Sequence, residues 1–255
     1  GESFLAKSGR ENAKQAYTNF KKADKYVPGY KEVQDKINES YENAIINVII
    51  NPVQDNSYFN NSGWGNSGYD YSNEYFQRTL VRDLAYNNNN NTQVYAAKFY
   101  SDWEARRENI QPNWIVDLSL SNINLPQPSN YNYRQNRSSK VQSGTDTLGK
   151  PVFTTVSATL NVTRRSFTAN ARMDVLIKDM DVNKTINNQS FSDDYKWQQE
   201  KATYSGDSRA LNATDWEMIN NNNYNNTPRR EDVLNELYKK IYPRVLNEIK
   251  YAVSW

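Results

Sequence analysis

Apolar positions near the start of the chain repeat every three or four residues, the spacing of one face of an α-helix. Between residues 10 and 27 this face consists of Ala13, Ala16, Tyr17, Phe20 and Ala23. A second stripe of this kind predicts a helix over residues 30–44: Val33, Ile37, Tyr41 and Ala44. Pro28 and Gly29 separate the two stripes and favour a turn. The opening of the chain therefore predicts a helical hairpin.

The middle of the chain alternates apolar and polar residues with the period of two that half-buried strands show. The alternation covers residues 114–121, 156–163 and 171–178. A more polar segment, residues 185–203, follows a turn at residues 181–184 and predicts the second arm of a hairpin. Because each of these strands has one apolar side, the pattern favours antiparallel pairing.

Four further segments complete the predicted fold. Residues 45–53 are apolar on both faces and predict a strand inside the sheet. Residues 75–86 predict a helix, and a long apolar stripe predicts a last helix that starts at Pro228. Residues 126–150 are rich in polar residues and predict a long loop or an extended hairpin. The sequence thus predicts an α+β fold, with a mainly antiparallel sheet of long strands packed by helices and preceded by a helical hairpin.

We divide the chain into a helix pair, residues 1–44, and an α/β domain, residues 45–255. The spacing of Ala16, Phe20 and Ala23, followed by Pro28 and Tyr30, resembles the second helix of a tetratricopeptide repeat. Such repeats are protein-binding scaffolds, and one unit alone cannot bury both of its faces. We therefore expect either further repeats upstream or packing of the pair on the domain that follows.

Composition narrows the chemistry that the chain can perform. It contains no His and no Cys, which excludes a Ser-His-Asp triad, disulfides and thiolate metal sites. Its 31 basic and 29 acidic residues give a net charge of +2, so no basic excess points to nucleic acid. No apolar run approaches the roughly 20 residues that a membrane helix needs. We expect no cofactor and no metal.

Carboxylates remain as the acid and base candidates. Three pairs lie close together in the sequence: Asp179 with Asp181, Asp193 with Asp194, and Asp215 with Glu217. A glycosidase needs two carboxyl groups across a cleft, whereas Asp is also an ordinary turn residue. We expect these carboxylates to be structural and the protein not to be an enzyme.

A loop rich in Asn, Ser and Gly is the strongest candidate for ligand binding. It carries five aromatic residues: Tyr58, Phe59, Trp64, Tyr69 and Tyr71. Exposed Tyr and Trp side chains stack on sugars or anchor peptides. Alternatively, these aromatic side chains fold back and cover the core.

The second half of the chain resembles a group of bacterial envelope proteins. The matching features are residues 113–120 after a short helix, the hairpin turn at residues 181–184, Trp197 and residues 204–211. Over residues 45–255 they resemble the small α/β domains of envelope lipoproteins, the group that includes the curli-secretion lipoprotein and outer-membrane activators of peptidoglycan synthases. The abundance of Asn, Lys and Tyr resembles Bacteroidetes proteins. The polar insertions at residues 54–73, 126–150 and 212–227 depart from that pattern.

The resemblance implies a protein that works by binding other envelope proteins and brings no catalytic residues with it. We therefore expect a non-enzymatic accessory subunit of a cell-envelope assembly in the periplasm or outer membrane. Membrane attachment would come only through a lipid anchor upstream of Gly1. The alternative is a protein that binds glycan or peptidoglycan, or processes glycan with carboxylates, and it rests on the aromatic and Asn-rich loops.

Overall fold

The computed structural model describes residues 1–55, 71–89 and 96–254. The helices are α1 (Glu2–Leu5), α2 (Arg10–Tyr26), α3 (Val33–Ala44), α4 (Tyr71–Asn89), α5 (Asp102–Arg107), α6 (Ala213–Ile219) and α7 (Arg230–Val253), with a 3-10 turn at Ser208–Ala210. The strands are β1 (Ile46–Ile50), β2 (Gln54–Asp55), β3 (Ala97–Ser101), β4 (Trp114–Asn124), β5 (Ser129–Thr145), β6 (Pro151–Asp179) and β7 (Lys184–Gly206). Within these ranges, none of the helices is long and apolar enough to cross a membrane.

The first 44 residues form the predicted helical hairpin. Ala16 and Phe20 of α2 pack against Val33 and Ile37 of α3, and all four side chains are buried. The chain turns after Tyr26 because Pro28 precedes Gly29, whose φ of +69° lies in the left-handed region that glycine tolerates. Ala23 is exposed, so the buried stripe of α2 is shorter than the sequence pattern.

The described chain forms two compact units. Unit 1 comprises residues 1–123, 171–193 and 235–255, and unit 2 comprises residues 124–170 and 194–234. Strands β6 and β7 and helix α7 contribute residues to both units. The proposed boundary between residues 44 and 45 stays a prediction.

The sheet is mixed, so the α+β class is confirmed but the prediction of a mainly antiparallel sheet is wrong. Strand β1 lies between β3 and β4 and runs parallel to both, with Val48 opposite Phe99 on one side and Trp114 on the other. Strand β2 is also parallel to β4, whereas β5 is antiparallel to β6. Alternating apolar residues reveal that one side of a strand is buried, but the connections set its direction. Here the crossover through α4 makes β1 and β3 parallel.

Strand β6 joins two segments that the sequence suggested as separate strands. It runs for 29 residues. Its buried positions are even-numbered from Val156 to Val162 and odd-numbered from Ala169 to Ile177. Residues 163–167, between these stretches, are all half-buried. One strand therefore supplies core residues to unit 2 first and to unit 1 afterwards.

In unit 1, helices α4 and α7 cover the sheet. Leu80 and Leu237 are fully buried. The Phe76 ring contacts Tyr238 and Tyr242 with centroid distances of 5.2 and 5.4 Å. The Tyr242 hydroxyl lies 2.6 Å from Asp83 Oδ2, and burial, helped by Asp83, raises the pKa of Tyr242. Helix α7 begins two residues later than the Pro228 that the sequence indicated.

Unit 2 contains a buried carboxylate. Asp215 is fully buried and accepts hydrogen bonds from Arg137, whose Nε and Nη2 lie 2.8–3.1 Å from its oxygens. Asp215 also completes the capping box of α6 with Asn212. Hydrogen bonding from Arg137 holds the pKa of Asp215 below its ordinary value. The carboxylate thus joins β5 to α6.

We expect Asp215→Ala to lower the free energy of unfolding by about 3 kcal/mol at pH 7, because it leaves Arg137 partly buried without its counter-ion. The lowered pKa means that this stabilisation is present above the ordinary carboxyl value of 3.8 and is lost as pH falls through the folded-state value. Urea denaturation at pH 7 and pH 3 should show the difference between wild type and variant shrinking at pH 3.

Asp194→Ala is the matched control, since Asp194 belongs to an exposed pair with Lys196 and should cost under about 1 kcal/mol. An equal loss for both variants, or an Asp215→Ala loss that does not change with pH, would contradict the assigned role.

Candidate functional site

Unit 1 has a groove of about 1160 Å³ between α4 and α5. We call it the α4–α5 groove. Its floor includes Pro52 and Val53, which follow β1, and Ser101, which ends β3. Both strands are parallel members of the sheet. Ligands of open sheets with parallel strands commonly bind outside the carboxyl ends of those strands, so this groove is the candidate functional site.

The first turn of α5 holds an aromatic side chain at the groove. The Ser101 hydroxyl accepts a hydrogen bond from the Glu104 N–H at 3.2 Å, and Glu104 Oε2 accepts one from the Ser101 N–H at 2.8 Å. This capping box fixes the start of the helix. Trp103, next to it, is 61% exposed, and the Arg107 guanidinium lies 4.5 Å from its ring centroid. The groove therefore includes an exposed indole ring supported by an arginine.

Gln77 of α4 supplies a fixed hydrogen-bond acceptor. Its side chain is only 5% exposed, and its Nε2 donates to the Ile50 carbonyl oxygen at 2.7 Å and to Asp102 Oδ1 at 3.0 Å. Both partners are acceptors, which decides the orientation of the amide.

The carbonyl oxygen of Gln77 accepts no hydrogen bond from the residues that the structure describes. Within those same residues, no fully buried side-chain oxygen or nitrogen lacks a partner. Gln77 is one of the residues that line the groove. Two donated hydrogen bonds therefore fix the Gln77 amide, and its carbonyl oxygen is an acceptor without a partner among the described residues.

The charged side chains around the groove carry both signs. Arg78 pairs with Glu74, and Arg106 pairs with Asp102. Arg82 contacts Asp83 at 3.1 Å. The arginine side chains of these pairs are largely exposed, so each pair contributes little to stability. Because neither sign dominates, the lining suits a polar ligand without a strong charge.

The predicted carboxylate pairs lie elsewhere, and one member of each pair has partners within the fold. Asp179 accepts a hydrogen bond from Trp114 Nε1 at 3.0 Å and lies 3.3 Å from Arg10. Asp193 pairs with Arg244 at 3.2 Å. Together with Asp215 in unit 2, these residues have structural partners, and the described lining of the groove includes none of the three predicted pairs.

The predicted aromatic binding residues are not tested by the structure. Tyr58, Phe59, Trp64 and Tyr69 lie outside the described residues, and Tyr71 opens α4 but its side chain is outside the description. The sequence patterns did not indicate Trp103 or Gln77 as site residues. The spacing of Ser101 and Glu104 signals a helix start beside Trp103, whereas nothing in the sequence distinguishes Gln77 from a surface glutamine.

No family model and no curated protein matches the chain. The solved structures that are similar to the chain in outline include two bacterial proteins. A hypothetical protein from Chlamydia trachomatis has a TM-score of 0.36 and 8% identity, covering 82% of this chain and 98% of its own. A protein from Helicobacter pylori, described as a neuraminyllactose-binding hemagglutinin homolog, has a TM-score of 0.32 and 8% identity, covering 82% and 86%. Likenesses at this level assign neither a family nor a function.

Proposed function

We propose that the protein is a non-enzymatic binding protein whose α4–α5 groove holds a saccharide. The observation that carries the proposal is the presence in one groove of a fixed acceptor, Gln77 Oε1, and an exposed aromatic ring, Trp103. A sugar offers hydroxyl donors on its edges and C–H groups on its faces, which match these two features. Rings with an apolar face and a polar edge are suited to such ligands.

The size of the groove also supports a saccharide. Pockets for single small molecules have volumes of about 300–1,000 Å³, and the groove has about 1160 Å³. A ligand of more than one sugar unit therefore fits the available space.

The state of the groove's carboxylates supports binding over catalysis. Asp102 accepts from Gln77, and Glu104 closes the capping box. Glu74 and Glu108 each pair with an arginine. A catalytic acid or base needs a carboxyl group that is free to exchange a proton with the ligand, and these four are engaged by other groups.

We expect Trp103→Ala to weaken binding of soluble peptidoglycan fragments at least tenfold, because it removes the stacking surface, about 1.4 kcal/mol or more. Isothermal titration calorimetry measures the affinity. Trp216→Ala is the control, since Trp216 is a second exposed tryptophan, 37% exposed, in unit 2. Equal affinities for Trp103→Ala and wild type would overturn the assignment of the groove.

Gln77→Met keeps the approximate volume and removes both donors and the acceptor. We expect it to lower the free energy of unfolding by about 1–3 kcal/mol, because the Ile50 carbonyl and Asp102 lose their donor, and to weaken the same glycan binding. Gln34→Met, at an exposed position of α3, should change neither quantity. A folded Gln77→Met protein that binds glycan as tightly as wild type would show that the oxygen makes no contact.

A second candidate function is that of an accessory subunit of a bacterial cell-envelope assembly, in the periplasm or outer membrane. The observation that favours it is the turn between α2 and α3, where Tyr26, Val27 and Tyr30 are 85%, 54% and 56% exposed. Neighbouring exposed apolar side chains mark surfaces that bind other proteins, and tyrosine is common at the centres of such interfaces.

For this second function, we expect a pull-down from envelope extracts to recover a stoichiometric protein partner. Combined Tyr26→Ser and Tyr30→Ser replacement should abolish recovery, since it removes the two aromatic anchors. Tyr251→Ser is the control, because Tyr251 is 77% exposed but lies in α7. The absence of a stoichiometric partner would count against the accessory role and leave the saccharide proposal intact.

A further inference from the structure

Unit 2 has a separate depression of about 550 Å³ formed by β5, β6 and β7. We call it the β-ribbon depression. Besides Tyr133 and Tyr224, six of its lining side chains are cationic or capable of hydrogen bonding: Asn132, Arg134, Asn161, Thr163, Lys201 and Thr203. In the register of β5 and β6, Arg134 lies opposite Asn161 and Asn132 lies opposite Thr163. Directly opposite residues of an antiparallel pair share one face, so these four form a continuous polar patch.

The two cations in the depression lack counter-ions. Within the described residues, neither Arg134 nor Lys201 forms an ion pair or a side-chain hydrogen bond. Other arginines of unit 2 do: Arg137 with Asp215 at 2.8 Å, Arg164 with Glu200 at 2.7 Å and Arg209 with Asp207 at 2.5 Å. The depression therefore presents two positive charges that have no carboxylate partner among the described residues.

The carboxylate nearest in sequence is directed elsewhere. Glu200 precedes Lys201, and successive side chains of a strand point to opposite faces. Glu200 Oε1 accepts hydrogen bonds from the Tyr133 hydroxyl at 2.9 Å and from Arg164 Nε at 2.7 Å. The negative charge of Glu200 is thus compensated by Arg164 and not by Lys201.

An aromatic ring completes the depression. Tyr224 lines it, and the Arg165 guanidinium lies 5.7 Å from the Tyr224 ring centroid. The same guanidinium lies 6.0 Å from the centroid of the Trp197 ring. This cation–π contact holds the Tyr224 ring at the edge of the polar patch.

We propose that the β-ribbon depression binds a sugar unit that carries an oxyanion, either a phosphate or a carboxylate. The planar guanidinium of Arg134 matches the paired oxygens of such a group, and Lys201 adds a second positive charge. The amides and hydroxyls of Asn132, Asn161 and Thr163 match sugar hydroxyls, and the ring of Tyr224 offers an apolar surface. The site lies in unit 2, and the proposal does not depend on a saccharide binding in the α4–α5 groove of unit 1.

Calorimetric titration of the whole chain with glucose 6-phosphate, glucuronate, glucose and inorganic phosphate tests the proposal. We expect at least one of the two anionic sugars to bind at least tenfold more tightly than both glucose and inorganic phosphate, with an affinity that falls as salt rises. The tighter of the two identifies the oxyanion. If the tighter of the two anionic sugars binds less than tenfold more tightly than glucose or inorganic phosphate, or if neither anionic sugar binds, the proposal is overturned.

Variants separate a defined site from general charge attraction. Arg134→Gln and Lys201→Gln should each lower the affinity for the anionic sugar at least tenfold, while thermal unfolding stays unchanged because neither side chain has a partner to lose. Lys140→Gln is the matched control, since Lys140 is an exposed lysine of β5 outside the lining, and it should change the affinity less than twofold. An equal loss for Lys140→Gln, or none for Arg134→Gln and Lys201→Gln, contradicts the proposal.

Trp103→Ala, which disrupts the groove of unit 1, should leave this binding intact.

Discussion

A single constraint in strand β6 shapes both units: its buried positions change from even to odd numbers along the strand. Burial of Leu160 and Val162 in unit 2 obliges Asn161, which lies between them, to face the other way, because side chains alternate along a strand. Asn161 therefore reaches the β-ribbon depression. The odd-numbered buried positions begin at Ala169, still in unit 2, and from Ala171 onward they belong to unit 1. One uninterrupted strand thus supplies two hydrophobic cores.

The α4–α5 groove depends on the parallel strands of the sheet. Because β1 and β3 run in parallel, their carboxyl ends lie at one edge, where the Ile50 carbonyl and Asp102 come close together. Gln77 bridges these two acceptors with its amide hydrogens, and in the proposed function its oxygen accepts a hydrogen bond from the ligand. The nitrogen of this buried amide thus ties α4 to the end of β1 and the start of α5.

Much of the fold could be predicted from residue patterns, since amphipathic periodicity records burial. The helical hairpin, the strand after it and the long strands of the middle region follow from such patterns. The direction of the strands could not be predicted from these patterns, because the alternation in β4 is the same whether its neighbour is parallel or antiparallel. The continuity of β6 was hidden by Arg164, Arg165 and Ser166, which interrupt the apolar alternation and make one strand look like two.

The candidate site was less predictable than the fold. The role of Gln77 depends on hydrogen-bond partners 27 and 25 residues away in the sequence. No local sequence pattern predicts such contacts. Trp103 is preceded by a recognisable capping residue, but its exposure depends on how α5 packs. The aromatic residues from Tyr58 to Tyr71 remain a prediction, because the described residues do not include their side chains.

The change of buried parity in β6 can be measured directly, since the chain has no cysteine of its own. Single replacements Ala158→Cys, Thr159→Cys, Ala171→Cys and Arg172→Cys would be treated with a thiol reagent under native conditions, and the reaction rates compared. Slow labelling at the even-numbered position 158 and at the odd-numbered position 171, with fast labelling at 159 and 172, is the predicted result. Protection at positions of the same parity in both stretches would contradict it.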